Sequence, residues 1–179
     1  DIAGNSISSF GAGSMSGANG FTRSHHNFHV TTPPSVQTDF LILGNLNTTP
    51  ADVMNLALRV SAAGALSLVL KNNFGGGGTA IGSPFSIAAD TWLTLETKTV
   101  ISATVGILEL KVNGVVVATG SSLNTGTLNL SIAIFSLFAS NLNSFNGIHY
   151  LDDFITSDSV YIGDGVCIAR QGKAGTPTN

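Results

Sequence analysis

Charged residues are scarce. The 179-residue chain holds 10 acidic and 7 basic side chains, 9 % of the total, against about 25 % in typical soluble domains. With a formal net charge of −3 and no basic block, it lacks the clustered Lys and Arg that give phosphate affinity, so no nucleic-acid partner is expected. No apolar run reaches the roughly 18 residues of a membrane helix, and no charged-then-apolar signal opens the chain, so no membrane partner is expected either. Cys167 is the one cysteine, which excludes an intrachain disulfide and a Cys-based zinc site. Between Val166 and Ile168 it reads as a buried structural thiol. Aromatics are few as well, at 7 %: 10 Phe, 2 Tyr and Trp92.

What fills the chain is apolar or small and uncharged. Hydrophobic residues make up 43 %, beside 21 Gly, 20 Ser, 18 Thr and 15 Asn. Hydroxyls and amides must therefore face the water. They satisfy hydrogen bonds without the desolvation cost of an ion when another molecule covers them, which suits both lateral packing in an assembly and sugar hydroxyls.

Helical periodicity is nearly absent, and period-two segments bounded by Gly, Asn, Pro and Ser recur instead. The clearest are Thr38–Gly44, Met54–Val60, Ala65–Lys71, Trp92–Val100, Ile107–Val112, Val115–Thr119, Thr127–Phe135 and Ile148–Thr156, with weaker ones at Ser6–Phe10, Gly20–Arg23, Phe28–Thr31 and Gly165–Ala169. Asn113-Gly114 between two of these predicts a type I′ hairpin, and Ser61–Gly64 a four-residue one. Thr49–Leu56 opens like a helix, but the alternation Met54/Leu56/Leu58/Val60 favours a strand. Phe74–Gly78 reads as a surface loop, since no Lys-Ser/Thr follows it as in a phosphate loop. Ten to twelve short strands without helices predict an all-β, two-sheet antiparallel sandwich. One domain over residues 1–170 is expected, with 1–20 as an extended N-terminal arm and 171–179 as a tail that is flexible or ordered by a partner. Starting at Asp1 rather than Met points to processing, to trimming or to further residues before Asp1.

From Trp92 to Asp153 a pattern stands out. A Trp opens a strand (TWLTLETKTV), a Gly starts the next (GILELKV), a tight turn follows (VNGVVVAT), and a late strand runs HYLDDFITSD. This resembles the concanavalin A-like, laminin-G-like jelly roll, in the version carried by tailed-bacteriophage virion proteins, whose Gly-Asp segment is matched by Gly163-Asp164. The resemblance covers about half of the chain. It implies a buried Trp92 and a sandwich whose hairpins serve the fold rather than a reaction.

Candidate chemistry is sparse. Retaining glycosidases need two carboxylates about 5 Å apart, and Glu96 and Glu109 each lack a second acid close by. No Gly-x-Ser-x-Gly elbow accompanies His149 and Asp152 to make a nucleophilic triad. Asp152 and Asp153 are adjacent, so a regular strand would point them to opposite faces. With Asp158 or Asp164 and an Asn they could hold calcium, which takes six to eight oxygens; the plainer reading is that they bind backbone amides. His25, His26 and His29 form the densest titratable cluster. On a strand, His26 and Phe28 share one face while His25 and His29 take the other, ~13 Å apart and too far for one ion. Exposure or packing in an interface is expected for them, and acid would then weaken assembly. For sugar binding, Tyr161 beside Asp158 and Asp164 is the expected platform.

These readings lead to an expectation of a non-enzymatic structural protein of a tailed-phage virion. It would be a capsid decoration or tail component acting through contacts with other virion proteins, homo-oligomeric and cofactor-free. The alternative expectation is a glycan-binding lectin or adhesin module that recognises host-surface glycans, with calcium as its one candidate cofactor.

Overall fold

The computed structural model describes residues 8–47, 52–73, 78–138 and 145–160. Their elements, in chain order, are twelve strands. These are β1 (Ser8–Ser14), β2 (Asn19–Thr32), β3 (Thr38–Asn47), β4 (Asp52–Val60), β5 (Leu66–Asn72), β6 (Thr79–Ala80), β7 (Phe85–Ile87), β8 (Leu93–Val100), β9 (Gly106–Val112), β10 (Val115–Leu123), β11 (Leu130–Phe138) and β12 (Asn146–Ser157). They form two antiparallel sheets. One has seven strands, ordered β1-β11-β3-β4-β5 with β6 and β7 both on β5; the other has five, ordered β10-β9-β8-β2-β12. The all-β sandwich read from the sequence is what forms.

Alternation creates the layers. In β9, Leu108, Leu110 and Val112 are buried while Ile107, Glu109 and Lys111 face outward. Phe40, Leu56, Leu58, Leu68 and Leu70 from one sheet meet Phe28, Leu95, Leu108 and Leu110 from the other in one buried cluster. At roughly 25 cal/mol per Å² of apolar area removed from water, this burial is the main force joining the sheets. Polar side chains also enter the interior, some of them tied to one another. The Thr22 and Thr97 hydroxyls share a hydrogen bond of 2.6 Å, and Asn45 Nδ2 donates to Thr99 Oγ1 across the sheets at 2.9 Å.

Several expectations change. The weak segments at Gly20–Arg23 and Phe28–Thr31 belong to one 14-residue strand, β2, because Thr22, Ser24 and His26 point inward and hide its period from a hydrophobic pattern. The first strand pairs with β11, so residues 8–14 of the expected arm belong to a sheet. Met54–Val60 is strand, as its alternation predicts. Trp92 precedes β8 instead of opening it and is 53 % exposed, which corrects the burial implied by the resemblance. Cys167, the Gly165–Ala169 segment, the 171–179 tail and Phe74–Gly77 lie outside the described residues.

Candidate functional site

The outward face of β2, flanked by β8 and β12, brings polar side chains and two exposed aromatic rings together. On β2, the inward positions are Thr22, Ser24, His26 and Phe28, all buried. Arg23, His25, Asn27 and His29 take the other parity, and Asn27 pairs with Tyr150 of β12 while His25 lies between Thr94 of β8 and Asp152 of β12. The division of the histidines between two faces follows the sequence reading.

The two outward histidines each meet an aspartate. His25 Nδ1 lies 3.2 Å from Asp153 Oδ2, and His29 Nδ1 lies 2.7 Å from Asp90 Oδ1. Both aspartates have left-handed backbones, with φ of 48° at Asp153 and 58° at Asp90, a region unfavourable for residues with a Cβ. The conformation at Asp153 has a clear origin. Asp152 pairs with His25 and Ile155 with Arg23, so two residues of β12 stand against one of β2, which is a β-bulge. The extra residue overturns the expected opposite-face arrangement: Asp152 lines the same hollow as His25 while Asp153 contacts that histidine, and Asp152 Oδ1 accepts the Asp153 N–H at 2.9 Å.

Between the histidines stand two exposed aromatic rings. Trp92 and Tyr150 (48 % exposed) have centroids 6.4 Å apart at an interplanar angle of 47°. A hollow of ≈ 220 Å³ opens beside them, lined by His25, Trp92, Leu93, Thr94 and Asp152. Exposed aromatics next to hydrogen-bonding groups suit a sugar ring, whose C–H face stacks on an aromatic ring while its hydroxyls need polar partners. Sequence reasoning missed Tyr150 and Trp92 as a pair, because they meet only through strand register. The one available signal was parity, which puts Trp92 and Thr94 on one face of their own segment.

The other sequence candidates fall elsewhere. His26 is 1 % exposed, where no partner could reach it. Its Nε2 lies 2.6 Å from Ser24 Oγ and its Nδ1 2.7 Å from His149 Nε2. The two imidazoles stack at 5.0 Å, with Phe28 against both and Phe135 against His26. Burial drives both toward the neutral form, His26 well below the usual histidine value and His149 to about 4. For His26 the neighbouring His149 and His25 add to the effect. Asp158 binds the β1–β2 connection, its Oδ2 accepting from the Ser16 N–H and hydroxyl at 3.1 and 2.8 Å. Tyr161 and Asp164 lie outside the described residues. Among the described residues, no group of three or more His, Cys, Asp or Glu is placed to hold a metal ion.

No family model matches the sequence, and neither does any curated protein. Solved structures do match by shape. The marine PL7 alginate lyase AlyA1 from Zobellia galactanivorans superposes with a TM-score of 0.57 at 11 % identity, over 79 % of this chain and 62 % of that one. The endo-β-1,4-glucuronan lyase from the fungus Trichoderma reesei gives 0.57 at 10 % identity, over 79 % and 68 %. A variant of alginate lyase Aly36B in complex with alginate trisaccharide gives 0.55 at 14 %, over 85 % and 74 %. This chain thus spans less than two thirds of AlyA1. The expectation of a bond-preserving virion component is corrected here, because it was inferred from the fold and these counterparts of the fold are polysaccharide lyases. The exclusion of enzymatic activity falls with it: it rested on the missing carboxylate pair of hydrolases, which an elimination does not need. What the likeness establishes is architecture, and in architecture this chain is a concanavalin A-like jelly roll of the form on which these lyases are built.

Proposed function

We propose that this chain is a polysaccharide lyase acting on 1,4-linked polyuronates, with its site on the outward face of β2. The observation that carries this reading is the His25–Asp153 contact on a face that also holds Tyr150 and Trp92. The substrate class is taken from the lyases that share the fold, which are named for alginate and glucuronan.

The chemistry follows from the substrate. In a uronate, the hydrogen on C5 is acidified by the neighbouring carboxyl group, and O4 is a leaving group one carbon away. The Asp153 carboxylate, 3.2 Å from His25 Nδ1, favours a proton on that nitrogen, which leaves the Nε2 lone pair as the base. His25 Nε2 takes the C5 proton, the freed electron pair forms the C4–C5 double bond, and the C4–O4 bond breaks. The Tyr150 hydroxyl gives its proton to the departing O4, and the phenolate regains one from the His25 imidazolium through solvent. Charge gathers on the uronate carboxylate during proton removal, and hydrogen-bond donors aimed at it lower the barrier.

The test is incubation with alginate and with glucuronan while following the ultraviolet absorbance of the unsaturated uronate end. His25→Ala and Tyr150→Phe are each expected to lower kcat/KM by about 10²–10⁴-fold, the range typical of a lost acid or base. Absence of an unsaturated product from any polyuronate, or variants as active as the parent, would overturn the reading.

A further inference from the structure

Trp92 stands in the connection before β8, outside the ladders that hold the other residues of the site. A platform for a sugar ring must nevertheless be fixed before the ligand arrives, or ordering it reduces the affinity. The following residue, Leu93, is anchored in the buried cluster. On the preceding side the fixed point is Asp90. Its N–H donates to the Phe28 carbonyl at 2.9 Å, and its Oδ1 accepts from His29 Nδ1 at 2.7 Å, so two successive residues of β2 hold it. Its left-handed φ of 58° turns the chain so that Trp92 faces Tyr150. A glycine would take that conformation at no steric cost. An aspartate in its place keeps a carboxylate where His29 can reach it.

We infer that Asp90 is a positioning residue: with His29 it locks the turn that presents Trp92 to a polyuronate chain lying along β2. The inference rests on the proposed site but not on the proposed reaction.

Trp92 is the only tryptophan in the chain, so tryptophan fluorescence of the full chain reads this position alone. Asp90→Ala is expected to raise acrylamide quenching of Trp92 and to lower its anisotropy. It should also weaken the alginate-induced emission change about fivefold, as for one lost hydrogen bond. KM for alginate should rise by a similar factor with kcat unchanged. Asp90→Asn keeps the acceptor oxygen and tolerates the left-handed backbone, so it should restore all three readouts, and His29→Ala should reproduce Asp90→Ala. The inference is overturned if Asp90→Ala leaves quenching and alginate affinity as in the parent, if it lowers kcat at constant KM, or if Asp90→Asn is as impaired as Asp90→Ala. A parent protein whose Trp92 emission responds to alginate, with the response weakened by Asp90→Ala but no unsaturated product formed, refutes the lyase reading and upholds this one.

Discussion

Asp39 shows what a single charge does in a chain that has so few. Arg59 grips its carboxylate with two hydrogen bonds, from Nε at 2.7 Å and Nη2 at 2.9 Å, while Lys71 Nζ donates to Oδ2 at 2.8 Å. The Arg59 bonds, then those of Lys71 and the charge of both, hold the Asp39 carboxyl below its ordinary value, against the opposing effect of partial burial. Asp39→Asn should cost about 1–3 kcal/mol at pH 7, since it weakens charged hydrogen bonds and leaves two cations facing each other. Guanidinium unfolding measures this. A carboxyl depressed in the folded state binds protons less readily than in the unfolded chain. Its stabilisation is therefore present above the unfolded value near 4 and lost as pH falls through the folded one, and the gap between Asp39→Asn and parent should close at strongly acidic pH. None of this was legible in the sequence. Asp39, Arg59 and Lys71 lie 20 and 32 positions apart, as His25 and Asp153 lie far apart, and only strand register unites them. What could be read was parity within one strand, which separated His25 and His29 from His26.

At the scale of elements, short-range chemistry was the readable part. Asn113 and Gly114 have φ of 50° and 80°, the pair of positive values that a type I′ turn demands, and they join β9 to β10 as expected. Space around Gly114 is open, with nothing within 4 Å of an added Cβ. Gly114→Ala should therefore lower stability by about 1 kcal/mol through backbone conformation alone. A larger loss on denaturant unfolding, or a changed β9–β10 register, would show that contacts contribute. Asn113 does more than turn: its Oδ1 accepts the Thr94 N–H, which fastens the hairpin to the start of β8 beside Trp92. Strands β6 and β7 escaped the sequence reading because two and three mostly exposed residues leave no alternation to detect. The bulge in β12 escaped it because nothing in Leu-Asp-Asp-Phe says which residue is the extra one.

For the whole molecule, the joint between the sheets decides the response to acid. His26 and His149 are neutral when folded, whereas in the unfolded chain they take up protons near pH 6.5. From there down to about pH 4 the unfolded state binds more protons, so stability must fall as pH falls. His149 alone accounts for a loss on the order of 3 kcal/mol. Guanidinium midpoints measured between pH 7 and 4 should decline, and His149→Phe should flatten the decline; a parent midpoint constant over that range would contradict the buried neutral pair. The fold class was readable because alternation and turn residues are written locally. The imidazole joint was not, because it needs β2 and β12 to be neighbours and they are separated by most of the chain. One consequence reaches beyond stability. Successive residues of a pleated strand look in opposite directions, so β2 sorts a single residue type into two trades: His25 and His29 face outward, each against an aspartate, while His26, one step away, is kept dry as mortar between the layers.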